Sequence, residues 1–228
     1  ILISERFFDF KNKKVLITGA SKGLGWVCAN ILAGFGAQLV CSGRNKESLQ
    51  KLKESFPNPN QHMIFAGDLI DPKVINELVS KSDEFLNGID IVLHVLGGGY
   101  GFRDPLLTWE QLNTLHKLNV GVAAEINRLV VPEMIKRKSG HLVHVGSIAS
   151  QEATASVGYN TVKSALAAYV RSLGRELAES GVVVSGILPG AFYAPENSWE
   201  RLKAIKPEVV KEFIEKNLPR RRIAEVGE

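Results

Sequence analysis

The chain has 228 residues, 45% of them hydrophobic and 23% charged, ordinary proportions for a soluble globular protein with a real core. That length suits one α/β domain spanning 1–228. The formal net charge of +4 comes from basic residues scattered along the chain apart from Arg220, Arg221 and Arg222, so no nucleic-acid partner is expected, and part of the excess can serve an anionic cofactor.

The opening segment, 1–10, carries an acid, a base and no small-residue cleavage site, so a secretory leader is not expected. No apolar run reaches membrane-spanning length, so no membrane partner is expected, and a cytoplasmic location fits. The chain starts at Ile1 instead of Met and stops at Gly227-Glu228 without a further strand, which suggests a piece of a longer protein. A first strand is predicted over 14–18. It runs into Thr18-Gly19-Ala20-Ser21-Lys22-Gly23-Leu24-Gly25, and a helix follows over 23–35. The spacing is G-x-x-x-G-x-G, and the dinucleotide fingerprint G-x-G-x-x-G is absent. A glycine turn after a strand can be a plain structural loop. Between a first strand and a first helix it favours dinucleotide binding, because glycines let backbone approach a diphosphate and the helix N-terminus supplies unpaired N–H groups.

The second strand, 37–41, leads to Ser42-Gly43-Arg44-Asn45-Lys46, and no acid occurs between Gly25 and Glu47. An acid there would accept the ribose hydroxyls of NAD, whereas an arginine pairs with the extra phosphate of NADP. Arg44 and Lys22 therefore point to NADP(H), unless both are ordinary surface charges. Cys28 and Cys41, the only cysteines, sit in apolar stretches and read as buried free thiols. The five histidines show no metal spacing with them, so no metal is expected.

Helices are predicted over 46–56, 72–86, 108–138 and 156–180, alternating with strands over 62–66, 89–96, 141–145 and 182–188. Such alternation predicts a doubly wound parallel sheet covered on both faces. Asn119 falls inside the long 108–138 helix, where asparagine is a poor interior residue. It is either a tolerated surface or kink position, or a functional residue that opens the helix and frees a carbonyl to hold a water. Ser147 follows the 141–145 strand at the carboxyl end, where ligands of such sheets bind. Its hydroxyl can steady a developing oxyanion or can simply be a turn residue, and Ser150 is a nearby competitor.

Tyr159 and Lys163 are four residues apart on one helix face. A free tyrosine has a pKa of about 10, and a neighbouring cation is expected to lower it, suiting the phenol for proton exchange with an alcohol or carbonyl. Alone, Y-x-x-x-K also arises by chance on helices.

Taken together, these motifs resemble the short-chain dehydrogenase/reductase family across nearly the full chain. In general pattern they are closest to the 3-oxoacyl-acyl-carrier-protein reductase branch. The resemblance implies a Rossmann-type sheet, of seven strands in the full protein, with the last absent from this sequence. It implies that Gly19, Ser21, Lys22, Gly23, Leu24 and Gly25 form the cofactor loop and that Asp68-Leu69 contacts adenine. Gly97 and Pro189-Gly190 would then lie beside the nicotinamide. Asn119, Ser147, Tyr159 and Lys163 match the catalytic set, with Tyr159 as acid/base, Lys163 also binding the nicotinamide ribose, and Asn119 supporting a proton-relay water. Oligomers, dimers or tetramers, are common in the family.

The chain departs from the family in having His94-Val95-Leu96-Gly97 where Asn-Asn-Ala-Gly is usual. His94 reads as a hydrogen-bonding core residue or, alternatively, a catalytic one. The segment 191–217 corresponds to a variable substrate lid, whose Phe192, Tyr193, Trp199 and Leu202 either line a pocket or pack the lid down. Lys138 stands at one carrier-docking position of the reductase branch, but Ser180 occupies the other, where arginine is expected. The expected substrate is a small molecule or an acyl thioester, with a sugar or polyol as the alternative. A non-catalytic NADP-binding regulator is the reading of another class.

Overall fold

The computed structural model describes residues 9–228, so the segment 1–8, most of the stretch read above for a leader, lies outside the described residues. Strand β1 (Lys14–Thr18) is buried over four of its five positions, as expected for a parallel strand with helices on both faces. Its side chains alternate between two cores. Val15 and Ile17 join Leu39 and Cys41 of β2 (Gln38–Gly43), together with Ala29 and Ala33 of α1 (Gly23–Gly34) and Leu49 and Leu52 of α2 (Lys46–Glu54). Leu16 and Val40 point to the other face, where α3 (Pro72–Leu86) and α5 (Val122–Lys136) supply Ile75, Leu78, Ile126 and Met134.

The remaining strands are β3 (Met63–Ala66), β4 (Ile91–His94), β5 (Gly140–Val145) and β6 (Val182–Ile187). The six form one sheet in the order β3-β2-β1-β4-β5-β6, and every pairing is parallel. The order reverses between β1 and β4. Ligands of such sheets bind in the crevice outside the carboxyl ends of the strands at that switch point. Local chemistry fixes the helix ends: Asp71 accepts from the Lys73 N–H at the start of α3, with Pro72 at the first helical position, and Asn87 closes the helix in the left-handed region.

The stretch predicted as one helix over 108–138 is three pieces. α4 (Trp109–His116) opens with a reciprocal Thr108/Gln111 capping box. One π-helical turn, Lys117–Gly121, follows, and α5 completes the run. The Asn119 side chain explains the break: its Nδ2 donates to the Leu115 carbonyl and so competes for a helical acceptor. α6 (Val157–Glu176) carries Tyr159 and Lys163. Beyond β6, strand β7 (Phe192–Tyr193) pairs in parallel with β8 (Ala224–Glu225), a small ribbon that the hydrophobic pattern does not reveal. Between them lie α7 (Ser198–Ile205) and α8 (Pro207–Asn217). Both cysteines are free; Cys41 is buried, whereas Cys28 is only half-buried. Among the described residues no helix is long and apolar enough to cross a membrane, and no cluster of three potential ligands could hold a metal ion.

Candidate active site

The turn between β1 and α1 requires glycine for steric reasons. Gly19 has φ +71, and a Cβ there would sit 2.9 Å from the Leu96 amide nitrogen. A Cβ on Gly25 would lie 2.3 Å from the Gly19 carbonyl oxygen, an impossible contact. The turn therefore packs against both its own helix and the end of β4. At the start of α1, the Gly23 N–H donates to the Pro195 carbonyl at 2.7 Å. The N–H groups of Leu24 and Gly25 have no backbone acceptor among the described residues, and helix polarity makes that pair suitable for an anion.

Gly43, at the end of β2, faces Ser21, whose Cβ and Oγ would lie 3.1 Å from a Cβ at that position. This contact sets Ser21-Lys22 beside Gly43-Arg44. Lys22 and Arg44 are both exposed, and neither makes an ion pair or side-chain hydrogen bond among the described residues. Asp68 is exposed just beyond β3, where its carboxylate accepts the Ile70 N–H. Leu69 buries its side chain in the core, leaving only its backbone available to a ligand.

Asn119 is buried and ties the π-helical turn to the loop after β4. Its Nδ2 donates to the Gly98 carbonyl at 2.9 Å, and its Oδ1 accepts the Gly98 N–H at 3.1 Å. A Cβ on Gly97 would come 2.9 Å from Asn119 Oδ1 and 3.0 Å from Lys163 Nζ, so the loop, the asparagine and the lysine meet at one point. The Lys163 ammonium donates to the Val145 carbonyl at 3.0 Å. Burial brings its pKa down to about 8.

Ser147 lies just past β5, and its Oγ accepts the Ala149 N–H at 3.2 Å, which leaves the hydroxyl proton free to donate elsewhere. That hydroxyl lies close enough to the Tyr159 phenol to pull the phenol's pKa down. Ser150, the competitor, is placed in the 3-10 turn that follows, and its buried Oγ has no hydrogen-bond partner among the described residues. Lys163 Nζ is 5.6 Å from the Tyr159 ring centroid. The expected lowering of the phenol by this cation is not met: burial dominates and pushes Tyr159 up, with Ser147 opposing it. Without cofactor, then, Tyr159 stays a protonated phenol at neutral pH, in the state needed to donate.

His94 belongs to the core. Its Nε2 donates to Asn127 Oδ1 at 2.8 Å, and its ring stacks on His144 with centroids 4.4 Å apart. Asn127 Nδ2 donates to the Tyr169 hydroxyl at 3.0 Å. Burial holds His94 at about 4, and burial, with the repulsion a second cation would meet beside His94 and Lys163, holds His144 at about 2. Both rings are therefore neutral, and among the described residues Lys163 is the buried side chain that carries positive charge here. The network joins β4, β5, α5 and α6, long-range partners that local sequence pattern does not reveal.

Pro189 and Gly190 follow β6, with the Pro189 carbonyl accepting the Ile148 N–H at 3.1 Å and open space at Gly190. In the segment beyond, Trp199 packs on Phe213 with centroids 4.5 Å apart, holding α7 against α8. Tyr193 lies under Lys203 and lines a cavity of about 600 Å³ with Pro207, Val210 and Ile214. Of the lid aromatics, Trp199 therefore packs, and Tyr193 lines open space.

Residues 13–204 match the short chain dehydrogenase family. An uncharacterized oxidoreductase of Staphylococcus aureus (strain USA300) is 28% identical over 208 residues, 89% of each chain. A 7α-hydroxysteroid dehydrogenase complexed with NADH and 7-oxo glycochenodeoxycholic acid is similar in structure, with a TM-score of 0.86 at 24% identity, over 96% of this chain and 84% of that one. A 3-oxoacyl (acyl-carrier-protein) reductase from Agrobacterium tumefaciens with NADP bound gives a TM-score of 0.87 at 23% identity, over 99% of this chain and 87% of that one. At these identities the structural likeness concerns the fold.

Proposed function

The chain belongs to the short chain dehydrogenase family and is an oxidoreductase, and from that premise we propose that it transfers a hydride between NADP(H) and a carbonyl/alcohol substrate, with Tyr159 as the acid/base. The observation that carries this reading is the meeting of Ser147, Tyr159 and Lys163 at the carboxyl edge of the sheet, where Lys163 also touches the loop packed on the glycine turn. The glycine turn fits a dinucleotide, because it opens on the start of α1, where the Leu24 and Gly25 N–H groups have no backbone acceptor among the described residues. The choice of NADP(H) rests on Lys22 and Arg44, two cations on adjoining loops that make no ion pair among the described residues.

NADPH, which the glycine turn, Lys22 and Arg44 would hold, would supply the hydride that the carbonyl carbon accepts. Ser147 donates its free hydroxyl proton in a hydrogen bond to the carbonyl oxygen and steadies the charge developing there. Tyr159 transfers its phenolic proton to that oxygen and completes the alcohol. Lys163 faces the resulting phenolate and holds it by charge. Asn119 fixes the 97–98 loop against the lysine. Ser180 gives its hydroxyl to the turn into β6, bonding the Leu177 carbonyl and the Val182 N–H, so carrier docking through a cation at that position has no support. The substrate class stays at a small carbonyl or alcohol compound.

The test is oxidation of NADPH in the presence of acyl-thioester ketones, sugars and simple ketones, followed across pH. Reduction should have an alkaline limit near pH 8: the Lys163 ammonium is lost as pH rises through its pKa of about 8, while the phenol remains protonated. Lys163→Arg, whose guanidinium stays charged, should abolish that limb at a lower plateau rate. No oxidation with any substrate class, or an alkaline limb that survives the arginine variant, would defeat the reading.

We also propose a homodimer or homotetramer. Trp109 and Leu112 form an i, i+3 pair on α4, and Trp109 is 75% exposed, with Leu106 at 86% just before the helix. Light scattering should give a mass of two or four chains, and Trp109→Asp should shift it toward one.

A further inference from the structure

The turn between β7 and α7 makes a bond that the chemistry above does not use. Pro195 presents its carbonyl to the Gly23 N–H at 2.7 Å. Gly23 is the first residue of α1 and has φ +61, so this bond fixes the residue that aims the next two N–H groups, those of Leu24 and Gly25. Pro195 is itself exposed, and what holds it in place is Asn197. The Asn197 Nδ2 donates to the Phe192 carbonyl at 2.6 Å, and its backbone N–H donates to the Ala194 carbonyl at 3.0 Å. Its Oδ1 accepts the Glu200 N–H at 2.9 Å and so caps α7. Between these anchors Glu196 sits in the left-handed region at φ +56, a strained state for glutamate that the surrounding bonds enforce.

We infer that Asn197 is a positioning residue for cofactor retention: it braces the turn whose Pro195 carbonyl latches the glycine loop, and thereby preorganises the Leu24 and Gly25 N–H groups for a diphosphate. This rests on the dinucleotide reading above. A loop already held in its bound shape loses less entropy when ligand arrives, so the brace acts on cofactor affinity and leaves the hydride step alone. The cap by itself would be an ordinary helix-start device. The bond to Phe192 sets Asn197 apart, because a serine could keep the cap but is too short to reach that carbonyl.

The experiment measures NADPH dissociation constants by fluorescence, with kcat and KM, for the wild type, Asn197→Ala and Asn197→Ser. Both variants should raise the Kd and KM for NADPH roughly three- to tenfold, the size of one lost hydrogen bond, and change kcat by less than about twofold. NADPH should also dissociate faster from both. Wild-type binding in the serine variant would overturn the inference, since only the cap would then matter. Loss confined to kcat would overturn it as well. If the wild type binds neither NADPH nor NADH, the dinucleotide reading fails and this inference falls with it.

Discussion

Replacing Tyr159 with phenylalanine should lower turnover by about 10²- to 10⁴-fold, the usual span for a general acid, while leaving folding and NADPH binding intact. The change removes one hydroxyl and keeps the ring. That ring packs against the loop after β4, where a Cβ on Gly99 would lie 3.7 Å from Tyr159 Cδ2. Phenylalanine can make the same contact. Only the hydroxyl, with its proton and its polar contact toward Ser147, is lost, and Ser147 keeps its Ala149 anchor. The measurement pairs steady-state rates with NADPH titration and thermal melting. Turnover like that of the wild type would reject Tyr159 as the proton donor, whatever the substrate proves to be.

The second large effect is expected from Arg44→Asp. The substitution exchanges a cation for an anion at the end of β2, next to Ser21 and Lys22. A charge-assisted hydrogen bond contributes about 1.5–3 kcal/mol, which corresponds to roughly 10- to 100-fold in kcat/KM for NADPH. The exposure of Arg44 argues for the lower part of that range. NADH should be affected little or used better, because the new carboxylate can accept ribose hydroxyls. Kinetics with both cofactors decide the matter. An equal loss for the two, or no loss at all, would remove Arg44 from the phosphate site.

Much of this arrangement is legible in local sequence, for a physical reason. Strands and helices alternate with the right periods, and the doubly wound sheet follows from that alternation. Tyr159 and Lys163 share a face because four residues nearly complete a helical turn. The glycine turn is legible because its constraint is steric and local. What the sequence leaves open or misses is decided mainly by distant partners: a helix break at Asn119 and a core role for His94 are each among its alternatives, and contacts choose between them. The π-helical turn at Lys117–Gly121 needs Asn119 to meet Gly98 and Leu115 together. The direction of the Tyr159 shift depends on how deeply the fold buries the phenol, which no spacing of residues shows. His94 is a core residue because Asn127 and His144, on other elements, complete its surroundings. The β7–β8 ribbon joins two-residue strands far apart in sequence, too short for any periodic signal.

The strand order also divides the site by time of synthesis. β1, β2 and β3 lie side by side at one edge of the sheet and are complete by Ala66. The glycine turn, Arg44 and Asp68 have therefore left the ribosome before any proposed chemical residue has been made. Ser147, Tyr159 and Lys163 wait for β5 and α6, and Gly19 cannot be packed until Leu96 has been translated. A chain halted midway would own a nucleotide shelf with no proton to give, so nascent fragments of this enzyme should be chemically silent until the second half joins the first.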